Sequence, residues 1–187
     1  MIIYLEGPDG SGKTTLADAI AKFCDSKDFA YERDAEKRIS THPKRPDRVD
    51  KATMFERLEE MLVDGVVHIL DRGPISDSIY RMFDDYKPVA KLEDYLKLFK
   101  QYRNNIIIVY TRTEHAEEAM LARGDDNPVA IRHHKELTKA YDLLMGIIKY
   151  NLPTRCRKFD YTVENATKDV LTDLECMVEV FNGNKTK

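Results

Sequence analysis

Eight consecutive residues of this 187-residue chain, Gly7-Pro8-Asp9-Gly10-Ser11-Gly12-Lys13-Thr14, fit the pattern G-x-x-x-x-G-K-[ST] at every fixed position. The residue types suit one task, holding a chain of phosphates. Glycine at positions 7, 10 and 12 permits backbone angles that a Cβ forbids, so successive N–H groups, that of Ser11 among them, converge on phosphate oxygens. Lys13 can reach the β- and γ-phosphates, and the Thr14 hydroxyl can ligate Mg²⁺. Thr15 completes the set of nucleotide-binding candidates Gly7, Gly10, Ser11, Gly12, Lys13, Thr14 and Thr15. The cofactors implied are ATP and Mg²⁺. A second group of reactive types, Asp71-Arg72-Gly73, ends the apolar run Val66-Val67-His68-Ile69-Leu70. An acid at that place faces the phosphate loop across a crevice, where it holds Mg²⁺ through water or orients an attacking hydroxyl. Arg72 adds a cation beside the phosphates. The bland alternative for the triplet is a turn carrying a surface ion pair.

Such chemistry needs strands that end on one edge of a sheet and helices that start there. Met1–Leu5 is a short apolar strand, and Thr15–Phe23 is an amphipathic helix with Leu16, Ile20 and Phe23 on one face. Further strands are expected at Ile2–Leu5, Phe29–Glu32, Val66–Leu70, Ile106–Tyr110 and Phe159–Val163, the first of these being the core of the N-terminal run. Val66–Leu70 and Ile106–Tyr110 have the continuous apolar character of buried parallel strands. Helices fill the gaps: from Asp50–Thr53 to about Val63, ending at Gly65; from near Ser76; along the stripe Leu92, Tyr95, Leu96, Phe99; over Glu114–Arg123, ended by Gly124; over Ile131–Tyr150; and over Lys168–Phe181. The alternation predicts an α/β fold of three layers, a five-stranded parallel sheet flanked by helices. One domain spans 1–187, with a small lid at about 124–132 and a frayed tail at 182–187. Glu36–Arg48, which contains Lys37, Arg38, His42, Lys44 and Arg45, and Gly124–Arg132 are polar loops of the kind that cover substrate or serve as solvated connections.

Bulk properties exclude little and bound the rest. Net charge is −3, which gives no general reason for tight nucleic-acid binding, although a local basic groove stays open. No stretch has the length of a membrane span, and the chain enters its first core strand at once, so no signal peptide is expected. Cys24, Cys156 and Cys176 are odd in number and lack metal spacing, as expected of reduced thiols in a cytoplasmic protein.

Two motifs also carry a family resemblance. Leu5-Glu6-Gly7-Pro8-Asp9-Gly10-Ser11-Gly12-Lys13-Thr14-Thr15 resembles the thymidylate kinase P-loop, with its acid inside the loop. Asp71-Arg72-Gly73-Pro74-Ile75-Ser76-Asp77-Ser78-Ile79-Tyr80 is similar to that family's Asp-Arg motif, with a serine and then a tyrosine behind it. Deoxynucleoside kinases are the wider relatives. The resemblance implies a P-loop kinase fold and transfer of the γ-phosphoryl of Mg·ATP to a deoxynucleoside monophosphate, dTMP or a modified deoxypyrimidine monophosphate. It implies that Asp9 approaches the acceptor sugar, that Arg72 grips the phosphate in flight, and that Arg48 in Asp47-Arg48 binds substrate. It further implies that Phe55 stacks on a base, that Tyr141 pairs with it, and that Glu164-Asn165-Ala166 follows the last strand where adenine is contacted. For Phe55 and Tyr141 packing in the core is the competing expectation. The loop has no arginine, so a lid arginine supplies the missing charge, with Arg123 first and Arg112 and Arg132 flanking. A homodimer through the helix near Met54–Val63 is also implied.

The chain departs from that family after its second strand, where Tyr31-Glu32-Arg33-Asp34 replaces an arginine–glutamate–proline–glycine segment. Glu32 and Arg33 are then the candidates to reach the acceptor. Two rivals follow: a deoxynucleoside kinase, and a kinase of a hydroxyl on a modified base within DNA, favoured by the basic loop. A hydroxyl acceptor needs a carboxylate base, for which Asp9, Glu32 and Asp71 are candidates, whereas a phosphate acceptor is already anionic. A nucleotide-binding switch without kinase turnover is the reading from another class, and no guanine-reading Asn/Thr-Lys-x-Asp sequence supports it.

Overall fold

The computed structural model describes residues 1–41, 48–83, 89–125, 127–153 and 155–183. Its centre is the apolar N-terminal run. β1 (Ile2–Glu6) is buried along its whole length and pairs in parallel with β3 (Val67–Asp71) on one side and β4 (Ile106–Thr111) on the other. β2 (Tyr31–Arg33) lies beyond β3 and β5 (Cys156–Phe159) beyond β4, giving the order β2-β3-β1-β4-β5 with every pairing parallel. Period-two alternation divides the core. Ile2 and Tyr4 face one layer, where α2 (Lys51–Val63), α3 (Pro74–Tyr80), α4 (Leu92–Gln101) and α6 (Pro128–Asn151) contribute Leu58, Ile75, Phe99 and Leu137. Ile3 and Leu5 face the other, filled by Leu16 and Ile20 of α1 (Lys13–Ser26) and Leu174 of α7 (Ala166–Gly183). The expected three-layer α/β fold with a five-stranded parallel sheet is thus present.

Local signals set most boundaries. Asp50 caps α2 by accepting from the Thr53 amide at 2.8 Å, and Gly65 follows α2 at φ 91. α5 (Ala116–Ala122) ends at Arg123, with Gly124 at φ 70. Asn127 then caps α6 through Val129 and Ala130, and Pro128 takes the first helical position. α6 is interrupted at His133, whose φ of −123 is not helical.

Several boundaries differ from expectation; α6 starts at Pro128 rather than Ile131, so helix replaces the second half of the expected loop Gly124–Arg132. The fifth strand is Cys156–Phe159, not Phe159–Val163. Tyr161 and Val163 lie in an exposed turn, while Arg157 and Lys158 sit in the strand because it is an edge. β2 starts at Tyr31 rather than Phe29, whose ring instead packs edge-on against Phe23. α7 continues to Gly183, past the expected end at Phe181, and 184–187 of the expected tail lie outside the described residues. A 3-10 turn, Ala35–Ile39, occupies the start of the basic loop, with Ala35 and Ile39 buried. His42, Lys44, Arg45 and Asp47 lie outside the described residues.

Candidate active site

Parallel pairing brings the carboxyl ends of β1 and β3 level, Leu5 opposite Asp71. The phosphate loop leaves β1 there. Gly12 caps α1 at φ 89, and the loop closes down on α5: a Cβ on Gly10, itself at φ 80, would lie 1.8 Å from the Ala116 carbonyl oxygen. Ser11 Oγ donates to Pro8 O at 2.7 Å and meets Thr111 Oγ1 at 2.6 Å, which ties the loop to the end of β4. Lys13 is buried, and its ammonium donates to the carbonyls of Gly7 at 3.0 Å and Pro8 at 2.7 Å. Burial lowers its pKa to about 8, against the opposing pull of Asp71 and Glu6.

Thr14 Oγ1 donates to Asp71 Oδ2 at 2.9 Å, so the first residues of α1 and the last of β3 meet in front of the loop. A hydroxyl and a carboxylate oxygen side by side are the hard oxygen donors that Mg²⁺ takes, directly or through water. Arg72 has φ 80, and its amide is fixed on Leu5 O at 3.0 Å. Its guanidinium forms an ion pair with Asp9 and lies 4.7 Å from the centroid of the Tyr80 ring. Asp9 also accepts from Tyr80 Oη at 2.7 Å and from Asn127 Nδ2 at 3.4 Å, while its carbonyl accepts from His134 Nε2 at 3.2 Å. The in-loop acid therefore joins Arg72 to the start of α6.

These groups line a cavity of about 740 Å³ with Asp9, Gly10, Gly12, Lys13, Thr14, Asp71, Arg72 and Arg123, together with Asp34, Glu36, Asp125 and Asn127. Arg123 stands at the end of α5, half-exposed, and bonds Asp125 Oδ2 at 2.6 Å. Asp126 of the expected lid lies outside the described residues. Asp34, Glu36, Asn127 and Glu6 beneath the site were not singled out by sequence. The signal for Asn127 was present in the Asn-Pro pair that starts a helix. Asp34 and Glu36 became cavity residues only through the 3-10 turn that packs beside β3. Glu36 Oε2 accepts from the Asp71 amide at 3.2 Å, and burial raises its pKa.

Other candidates lie elsewhere. Glu32 accepts from Arg38 Nη1 at 2.9 Å and contacts His68 Nδ1 at 2.8 Å, and Arg33 pairs with Asp18 and Asp34. Neither lines the cavity, because β2 ends one residue before the chain turns into it. Arg48 and Thr15 are exposed and outside the lining. Phe55 packs against Tyr95 with centroids 5.3 Å apart, within the layer around α2 and α4. Tyr141 is fully buried with its hydroxyl 2.6 Å from Ser76 Oγ, so both rings occupy the core positions that their helical spacing also allowed. Glu164-Asn165 follows β5 in a turn, with Asn165 at φ 65, and Tyr161 of that turn lies against Gly12. Arg112 bonds Thr113 O and pairs with Asp142, and Arg132 is exposed. Met54, Leu58, Met61 and Leu62 of α2 are buried within the chain, leaving Val63 exposed. No helix among the described residues is long and apolar enough to cross a membrane.

No protein-family model and no curated protein matches the chain. Solved structures do resemble it. The YorR protein from Bacillus subtilis, in complex with phosphorylated GDP, superposes with a TM-score of 0.61 at 19% identity, covering 98% of each chain. Deoxyadenosine kinase from M. mycoides with bound dCTP gives 0.54 at 18% identity over 94% of this chain and 100% of that one. The same enzyme with bound dATP gives 0.52 at 18% identity, over 94% and 99%. At these identities the likeness is one of fold, and the thymidylate kinase resemblance of the motifs holds at that coarser level: the chain has the P-loop kinase fold of nucleoside and nucleotide kinases.

Proposed function

We propose that the chain transfers the γ-phosphoryl of Mg·ATP to the 5′-hydroxyl of a deoxynucleoside. The observation that carries phosphoryl transfer is the meeting of Lys13, Thr14, Asp71, Arg72 and Arg123 around one cavity. Transfer of this kind is positioning plus charge stabilisation, and each of these residues has a part. The loop amides and Lys13 bind the β- and γ-phosphates once Lys13 leaves the carbonyls of Gly7 and Pro8. Thr14 and Asp71 would hold Mg²⁺, which neutralises charge on the β- and γ-phosphates when bound. Arg72 and Arg123 face the moving phosphoryl group from the acceptor and lid sides.

The acidity of the cavity favours a hydroxyl over a phosphate acceptor. Among the described residues its lining holds the carboxylates Asp9, Asp34, Glu36, Asp71 and Asp125 against the cations Lys13, Arg72 and Arg123. Arg72 is already paired with Asp9, and Arg123 with Asp125. A dianionic monophosphate entering that side meets mainly like charge. A neutral nucleoside instead finds Glu36, a partly buried carboxylate with raised pKa that holds no ion pair among the described residues, as a base for its hydroxyl proton. The deoxyadenosine kinase with this fold is consistent with that class of acceptor.

The second reading is a monophosphate kinase acting on dTMP or a related deoxypyrimidine monophosphate. Its specific support is Asp9 inside the loop together with Arg72 beside it. Phosphorylation of a modified base within DNA has the basic loop as its support. The test is an ADP-release assay with Mg·ATP and a panel of deoxynucleosides, their monophosphates and hydroxymethylated DNA. Turnover with nucleosides alone is expected. Turnover with monophosphates alone replaces the first reading by the second, and silence with ATP still bound removes both.

A further inference from the structure

Glu6 is a fully buried carboxylate at the end of the central strand, one residue before the phosphate loop. Its oxygens do not face the loop. Oε1 accepts from the amides of Gly73 at 3.1 Å and Ile75 at 3.2 Å. Oε2 accepts from the Ser76 amide at 3.0 Å and from Ser76 Oγ at 2.5 Å. These are the orphan donors of the first turn of α3. The helix has Gly73 at its cap with no side chain to serve it, and Pro74 at the next position has no N–H. Every amide left over there is satisfied by a residue from another strand. Asp77 N returns to Gly73 O at 3.1 Å, which completes the turn.

The segment so held carries Arg72. Its amide is bound to Leu5 O, and the next amide, that of Gly73, is bound to Glu6 Oε1. Between these two anchors Arg72 stands at φ 80, a conformation uncommon for a non-glycine residue that persists only when its surroundings enforce it. A Cβ on Gly73 would fall 2.4 Å from the Tyr4 ring, so the turn has no room to relax in that direction. A hydrogen-bond relay extends the anchor. The Ser76 hydroxyl donates its one proton to Glu6, so Tyr141 Oη donates to Ser76 Oγ at 2.6 Å. Tyr141 belongs to α6, whose first turn, from Pro128, falls within the segment expected to form the lid. We infer that Glu6 is a positioning residue, which fixes Arg72 over the phosphate loop by clamping the turn between β3 and α3 and couples that turn to α6 through Ser76 and Tyr141. The inference rests on the kinase reading only for its kinetic consequence.

In its ionised form Glu6 accepts from all four partners, each of which is a donor. Glutamine would set an amide N–H₂ against two of them whichever way it turned. Glu6→Gln keeps shape and volume, and is expected to lower kcat about tenfold or more through misplacement of Arg72, with nucleotide affinity within about threefold. In an Arg72→Ala background the same substitution adds little, because the group it positions is gone. Tyr141→Phe keeps the ring and lowers kcat by a smaller factor. Independently of turnover, amides 73–76 exchange hydrogen faster in Glu6→Gln than in the wild type. Equal kcat losses with and without Arg72, or unchanged exchange at those amides, overturn the inference. If the wild type turns over no acceptor at all, the kinase reading fails, and the exchange measurement still decides what Glu6 holds.

Discussion

Thr14 and Asp71, 57 positions apart in the chain, meet at 2.9 Å between hydroxyl and carboxylate, and this contact fixes where the phosphate loop and the second acidic motif face each other. It follows from the parallel register of β1 and β3, and it makes the two motifs one site. Substituting Asp71→Asn leaves an amide oxygen to accept from Thr14 but removes the negative charge available to a metal. Activity is expected to fall about 100-fold or more, with partial recovery at raised Mg²⁺. An Mg²⁺ titration of both proteins checks this, and identical curves contradict it.

Lys13 predicts a proton count. Burial holds its pKa at about 8 in the free protein, below its ordinary value of 10.5, so the side chain is largely the neutral amine at pH 9. A bound phosphate chain restores the charge. Nucleotide binding at pH 8.5–9 should therefore take up protons, and affinity should fall as pH rises through 8. Calorimetry in buffers of different ionisation enthalpy measures the uptake, and a buffer-independent heat would contradict the account. Lys13→Ala should abolish both uptake and transfer while leaving the fold intact.

Glu6 links stability to pH. Its folded pKa, about 7, exceeds the value of 4.5 expected for an exposed chain, because burial penalises the carboxylate. The folded state binds this proton more tightly than the unfolded one. The resulting stabilisation is fully present below pH 4.5 and is lost as pH rises through 7. Subtracting the Glu6→Gln stability curve from that of the wild type should leave a difference that falls from about pH 4.5 to about pH 7. A flat difference would contradict it.

Arg123→Ala should lower kcat by about tenfold or more with little change in ATP affinity, because the charge is needed mainly in the transition state. Steady-state kinetics separate the two parameters. A pure KM effect would reduce Arg123 to a ground-state contact.

The acceptor side is tested by Glu36→Gln. If the acceptor is a hydroxyl, its base is lost and kcat should drop about 100-fold, with a smaller loss at high pH. A monophosphate acceptor would show little change, or faster turnover through relief of like charge.

Much of this site was legible in the chain because it is local. The loop glycines, Lys13, Thr14 and the acid at the end of β3 are short-range patterns tied to strand ends, and apolar runs such as Ile106–Val109 identify the sheet. What could not be read depends on distant packing. Glu36 and Asp34 enter the cavity through a 3-10 turn with no periodic signature, and the purpose of Glu6 depends on a helix cap 67 to 70 residues away. Tyr141 and Phe55 carry chemistry-bearing rings on helical faces, and helical spacing alone does not separate a base-facing ring from a core one. β5 was misplaced because an edge strand tolerates Arg157 and Lys158, so its alternation is weak.

The central claim is transfer that depends on the phosphate loop. The most direct measurement follows label from γ-labelled ATP with Mg²⁺ into a deoxynucleoside, for the wild type and for Lys13→Ala. Labelled 5′-monophosphate is expected from the wild type and none above background from the variant. Label released only as inorganic phosphate, or equal transfer by both proteins, would contradict it.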